Sequence, residues 1–334
     1  MIEISRLEDS QRDEWVTFLR TSNDGTLFHD PRFLLYHPPD RFRFFHLAAR
    51  RKGKLFAVVP GSLVTDESGT RFVSPAGASV GGPASGPKLP LAEAGELVEG
   101  LQRFAVESGW NAVEMTLAPS IYHRRPSQTL PFELARRGFQ MHDQRLSSAI
   151  PLHLSTGDGR FERSFRATAA NEVRAARRRG AEVTEGGLDL FDNFLALFTE
   201  TYDRLGATPT HHPEELRDLV VRLPEYVRIF SATLNGETIA ATLVFLLNDV
   251  VAYSFYPMMG TKHANENGNK VIFADIMDRL GGRGYRWLDL GPSASFHHTN
   301  ANVAFFKEGL GAVGHARTAW RWDIRGEASS SGQP

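Results

Sequence analysis

The 334-residue chain contains no cysteine. That excludes disulfides, thiolate metal ligands and a cysteine nucleophile. No apolar run approaches the length of a membrane span. The opening, MIEISRLEDSQRDEW, is too polar and acidic for a secretory leader, so a cytoplasmic protein is expected. Charge of one sign is also lacking, with 38 Lys and Arg against 39 Asp and Glu. No global field draws the chain onto nucleic acid or membrane, and any basic patch is local. There is no HExxH or carboxylate-spaced histidine set. The adjacent His297 and His298 sit in an irregular loop and point apart, so no metal is expected.

The hydrophobic fraction of 41% is enough for a substantial core. The length suits one large or two medium domains. Periodicity and turn chemistry predict a strand over 2–4, a helix over 10–19, strands over 42–49 and 54–64 joined by a turn at 51–53, a helix over 91–108 and a strand over 111–117. The second half reads as helices 159–179, 188–205 and 213–222, strands 227–234, 237–247 and 250–256, helix 266–281, and strands 285–290 and 314–323. Asn235-Gly236 predicts a tight hairpin turn. Residues 74–90, rich in Gly and Pro, read as a fixed surface loop, with a site wall as the alternative. The expected divisions are 1–154, 155–325 and a disordered Ser/Gly tail over 326–334.

Four segments can carry chemistry. The first is YRWLDLGPSASFHHTNANVAFFKEGL over 285–310, a strand ending at Asp289-Leu290-Gly291, a polar loop with Ser293, His298 and Asn302, and a turn of helix bearing Lys307. The second is an amphipathic helix whose stripe is Phe161, Phe165, Ala169, Val173 and Ala176. Its polar face is arginine-rich, with Arg166 and Arg174 the central candidates for binding an anionic group. The third is PTHHPEEL over 209–216. Pro213, Glu214 and Glu215 open a helix there, which puts His211 at the helix mouth as a neutral general base. The fourth is the strand with Tyr253, Phe255 and Tyr256, on which Phe255 is expected to face away from both tyrosines. Tyr256 closes that strand before Pro257, where a phenol can reach a cleft.

The order strand–DLG–polar loop–FFKEGLGA resembles the end of the Fem-like and BioF2-like (CelD-like) acyltransferases of the GNAT superfamily. TLFHDPRF over 26–33 and NEVRAARRRG over 171–180 fit the same resemblance in order, so it covers nearly the whole chain. It implies an α+β fold of two GNAT-like halves, each a mixed, mostly antiparallel sheet flanked by helices. It implies acyl or aminoacyl transfer to an amine of a small-molecule or cell-envelope acceptor, without a covalent enzyme intermediate. Tyr256 would be the acid or oxyanion donor and Lys307 an oxyanion or phosphate contact, while Asp289 and Asn302 would orient the loop. No tightly bound cofactor is implied; acyl-CoA, or aminoacyl-tRNA through its acceptor end, is the co-substrate. One departure stands out. Residues 258–268 lack the Gly spacing of the loop that holds the coenzyme pyrophosphate in ordinary GNAT enzymes. A degenerate GNAT fold that only binds remains the alternative of a different class.

Overall fold

The computed structural model describes residues 1–324. The tail expected over 326–334 lies outside the described residues. The described chain forms two compact units, one of residues 1–144 with 317–324, the other of residues 145–316.

The first unit runs β1 (Glu3–Arg6), α1 (Arg12–Thr21), α2 (Pro31–Leu34), β2 (Leu47–Arg51), β3 (Lys54–Val59), β4 (Ser62–Asp66), β5 (Gly69–Ser74), β6 (Ala84–Ser85), α3 (Leu91–Glu107), β7 (Ala112–Thr116) and α4 (Thr129–Arg136). β1, β2, β3 and β6 make one antiparallel sheet. β4 pairs antiparallel with β5, and β5 pairs parallel with β7 across the α3 crossover. Leu97, Val98 and Leu101 of α3 are buried against these strands, and Trp110 stacks flat on Phe72 with centroids 5.2 Å apart.

The second unit runs β8 (Gln140–Pro151), α5 (Arg160–Ser164), α6 (Ala167–Arg178), β9 (Glu182–Gly186), α7 (Phe191–Leu205), α8 (Pro213–Arg222), β10 (Val227–Leu234), β11 (Glu237–Leu246), β12 (Val251–Met259), α9 (Gly268–Gly282), β13 (Trp287–Ser295) and α10 (Ala301–Gly309). β14 (Val313–Asp323) then returns the chain to the first unit, where it pairs with β7. β9 to β12 are antiparallel neighbours. β12 pairs parallel with β13 across α9, and β13 pairs antiparallel with β8. Each unit therefore contains the same local device, a strand, a crossover helix and a parallel strand (β5–α3–β7 and β12–α9–β13).

The Asn235-Gly236 turn forms as expected. Both residues have positive φ, 53° and 81°, the conformation a two-residue hairpin loop requires. Residues 237–246 are strand, in the middle of a three-stranded meander.

Four expectations change. The helix predicted over 159–179 is two helices, because Phe165 is extended and the Arg166 N–H bonds the Gly309 carbonyl at 2.8 Å. Its stripe Phe161, Phe165, Ala169, Val173 and Ala176 is nevertheless fully buried. Gly291 does not end its strand. It takes φ +81° inside β13, which keeps pairing with β8 through Pro292, Ala294 and Ser295. Tyr253 and Phe255, two apart, share a face against Phe245, and the Tyr256 ring packs against Phe255 with centroids 4.3 Å apart.

The fourth concerns residues 74–90, which are at the surface only in part: Pro87, Lys88 and Pro90 are exposed, whereas 80–86 are buried. Gly81 donates its N–H to the Thr116 carbonyl at 2.7 Å and lies parallel to Leu117, just past the last β5–β7 pair, Ser74 with Met115. The Ser74 hydroxyl accepts from the Gly82 N–H at 2.8 Å and holds this insert in place.

Candidate functional site

In the second unit the corresponding strands part. β12 and β13 are in register at Val251–Trp287, Ala252–Leu288 and Tyr253–Asp289. Beyond that point β12 stays paired with β11 out to Met259, and β13 with β8 out to Ser295. Among the described residues no ladder pair joins the two strands past Tyr253 and Asp289. A parallel pair split in this way leaves main-chain donors and acceptors along an open wedge.

One wall of the wedge carries a β-bulge. Ala241 faces Met258 while Leu243 faces Phe255, so Tyr256-Pro257 holds one residue more than its partner strand. Tyr256 takes φ +54°, a costly conformation for an aromatic residue. Packing holds it there. The apolar stripe of α7, Phe191, Phe194, Phe198 and Tyr202, brings Phe198 edge-on to the Tyr256 ring at 5.1 Å and 81°, and Tyr202 at 6.2 Å and 84°.

The turn before α8 supplies the partner. Pro213 occupies the first turn of that helix, and the Glu215 carboxylate accepts the His212 N–H at 2.7 Å. This fixes His211, 8% exposed, with its Nδ1 2.7 Å from the Tyr256 hydroxyl and its ring edge-on to Phe255 at 5.4 Å. Burial, and next the neighbouring Tyr202, push the Tyr256 phenol well above its ordinary pKa. Tyr256 therefore stays protonated and can act as a donor, not as a base. Burial likewise raises Tyr202.

The other wall is tied down from below. The buried Asp289 carboxylate accepts the Ser147 hydroxyl at 2.7 Å and the Gly291 N–H at 2.6 Å. Lys307, 8% exposed, donates its ammonium to the Gly291 carbonyl at 2.8 Å and the Pro292 carbonyl at 3.0 Å. The Ser293 hydroxyl meets that of Ser148 at 2.9 Å.

The structure thus brings together His211 with Tyr256, and Asp289 with Lys307 around Gly291. The remaining candidates lie apart from these contacts. Arg166 pairs with Glu308 at 3.3 Å and covers the Phe305 ring at 4.6 Å. Arg174 pairs with Glu162 at 3.1 Å on the exposed side of α6. His298 is exposed, and its carbonyl accepts the Ser295 N–H at 2.7 Å. Asn302 is exposed on the first turn of α10, while Asn300 performs the cap, its side chain accepting from the Val303 N–H at 3.1 Å. Tyr202 went unnoticed in the sequence because its position in the α7 stripe reads as core. No group of three or more His, Asp or Glu among the described residues is arranged to hold a metal ion.

The loop after β12 has its own occupants. Lys262 and His263 both contact the Glu237 carboxylate, at 2.8 and 3.2 Å, and the Glu200 carboxylate accepts the Thr261 N–H at 2.7 Å. α9 starts at Gly268 after Asn267 in the left-handed region.

Residues 163–299, which contain the wedge, the bulge and the His211–Tyr256 pair, match the family model described as an acetyltransferase (GNAT) domain. The chain carries a GNAT acetyltransferase domain in a Fem-like fold. It is an acyltransferase. The fold likeness extends over the whole chain: the crystal structure of FemX superposes with a TM-score of 0.73 at 12% identity, covering 96% of this chain and 97% of that one. L-PGS from Bacillus licheniformis gives 0.62 at 13%, covering 97% and 94%. A tandem GNAT protein from the clavulanic acid biosynthesis pathway gives 0.52 at 11%, covering 97% and 98%. No curated protein matches the chain. The two units are GNAT-like halves of an α+β protein, and no helix among the described residues is long and apolar enough to cross a membrane.

Proposed function

We propose that this GNAT-like half transfers an acyl group from a thioester of coenzyme A to the amine of a small-molecule or cell-envelope acceptor, forming an amide. The observation that carries the reading is the 2.7 Å contact between His211 Nδ1 and the Tyr256 hydroxyl at the bulge beside the open wedge. An extended, amide-bearing donor arm suits such a wedge, because main-chain groups can pair with it as a strand would.

Acyl transfer to an amine needs a base for the attacking N–H and an acid for the leaving thiolate. With the imidazole proton on Nδ1 and directed at the Tyr256 oxygen, Nε2 carries the lone pair and the Tyr256 proton is directed elsewhere. The amine attacks the carbonyl carbon, the C–N bond forms, and Nε2 takes the amine proton. The tetrahedral oxyanion then collapses, the C–S bond breaks, and Tyr256 protonates the sulfur. The Nδ1 proton passes to the phenol oxygen. The imidazole ends neutral in its other tautomer, and no net charge stays in the site. Positioning Tyr256 and His211 supplies the catalysis; no covalent enzyme intermediate forms. Asp289 and Lys307 shape the opposite wall by fixing Gly291 and Pro292, and Arg166 and Arg174 remain candidates for an anionic part of the donor.

The test is acetyl transfer from radiolabelled acetyl-CoA to a panel of amines, with purified protein and with the Tyr256→Phe and His211→Asn variants. Each variant is expected to lose about a hundredfold or more in turnover while folding normally. Turnover with aminoacyl-tRNA but not with acetyl-CoA would replace the donor. Turnover with neither, and no thermal stabilisation by either, would replace the enzyme with a binding module.

A further inference from the structure

We propose that Thr242 and Ser254 are positioning residues, whose paired hydroxyls fix the bulge that aims Tyr256 at His211. The proposal rests on the acyl-transfer reading above. Thr242 is the single β11 residue opposite the two-residue bulge, between the Ala241–Met258 and Leu243–Phe255 pairs. It shares a strand face with Ala240 and Val244, which lie in one buried apolar cluster with Ile272 and Ile276 of α9. Ser254 is on the corresponding face of β12, opposite Val244. Thr242 is fully buried and Ser254 nearly so.

Two hydroxyls in an apolar layer are costly unless they are bonded, and valine would fill the Thr242 position without that cost. The two oxygens are 3.1 Å apart. Thr242 Oγ1 is also 3.4 Å from the carbonyls of Phe255 and Leu243, the pair that borders the bulge. With the Ser254 hydroxyl donating to Thr242, the Thr242 proton is left for the Phe255 carbonyl. That carbonyl belongs to the peptide unit preceding Tyr256. Holding it fixes the plane from which Tyr256 turns to φ +54°. A conformation of that kind persists only when its surroundings over-determine it. The rings of Phe198 and Tyr202 hold the outer end of the Tyr256 side chain, and the hydroxyl pair holds its root. The contact so aimed is the 2.7 Å one between the phenol and His211 Nδ1, where a small misplacement is expensive in rate.

The measurement is the pair of His211 imidazole 15N resonances in histidine-labelled protein, assigned by their loss in His211→Asn and recorded without any ligand. In the wild type they should report a proton on Nδ1. Thr242→Val should move them toward the other tautomer, and Ser254→Ala should do the same to a smaller extent. Thr242→Ser, which keeps the hydroxyl, should restore the wild-type resonances. In the acetyl-CoA assay, Thr242→Val should lower kcat by about tenfold with KM unchanged, and Thr242→Ser should rescue it. Wild-type resonances in both Thr242→Val and Ser254→Ala would overturn the proposal. So would a Thr242→Ser protein as impaired as Thr242→Val, since packing of the methyl group would then be the cause. If Thr242→Val does not fold, Ser254→Ala decides alone. If Tyr256→Phe retains full turnover, the acyl-transfer reading fails, while the His211 resonances still decide whether the hydroxyl pair aims Tyr256.

Discussion

Tyr253 and Asp289 are the last residues at which β12 and β13 face each other, and just beyond them Gly291 passes the Tyr253 hydroxyl. A Cβ on Gly291 would lie 3.1 Å from that oxygen, on a residue with φ +81°. Gly291→Ala should therefore cost about 1–2 kcal/mol through backbone strain alone. It should also narrow the mouth of the wedge. A urea midpoint gives the first effect and the acetyl-CoA KM the second; an unchanged KM would remove Gly291 from the donor path.

Lys307→Met leaves two carbonyls, those of Gly291 and Pro292, without their ammonium partner. A buried hydrogen bond to a charged group, and the unsatisfied acceptors left behind, put the loss of stability at about 2–4 kcal/mol. Methionine keeps the apolar stem and removes the charge, so turnover should fall as well if Lys307 also meets the substrate. Chemical denaturation and kinetics therefore have to be measured on the same variant. A stability change below about 1 kcal/mol would mean that the clamp is dispensable.

Arg174 is paired with Glu162 in the open, where an ion pair contributes little. Arg174→Ala should shift the unfolding free energy by less than about 1 kcal/mol. If the residue also meets an anionic part of the donor, KM for acetyl-CoA rises severalfold. A KM equal to wild type assigns Arg174 to the surface.

His29 is buried in the first unit, which lowers its pKa from 6.5 to about 4. The unfolded chain takes up a proton near pH 6.5 that the folded chain refuses until about pH 4. Stability is thus complete above the unfolded value and falls with pH at about 1.4 kcal/mol per unit between the two. His123, also lowered by burial, adds in the same direction. Urea midpoints from pH 7 to 4.5 should decline more gently in His29→Gln than in wild type; parallel declines would exclude His29 as a cause.

Much of this architecture was legible where local chemistry and tertiary need agree. Asn235-Gly236 specifies its hairpin because those two residue types tolerate positive φ. His211 could be placed at a helix mouth because Pro213 and Glu215 announce the helix start. The break at Phe165 was not legible, since the apolar period runs straight through it and the break depends on Gly309, far along the chain. Nor was the bulge at Tyr256. A strand period of two gives no sign of an inserted residue, and the positive φ there is held by rings from α7 and by His211. Lys307 was recognised as important, but its two carbonyl partners are made by the Gly291 kink, which a strand ending at Gly291 would not have contained.

The insert around Gly81 has a consequence for stoichiometry. In the first unit, the main-chain acceptor at Thr116, at the point corresponding to the opened edge of the second, is already satisfied by the chain itself. That half is self-occupied: its own backbone does there what a donor arm is proposed to do in the other half. A duplicated chain would ordinarily offer two sites. This one should titrate with a single molecule of acyl-CoA in a calorimeter, and hydrogen exchange at Gly81 and Gly82 should stay slow whether or not that molecule is bound.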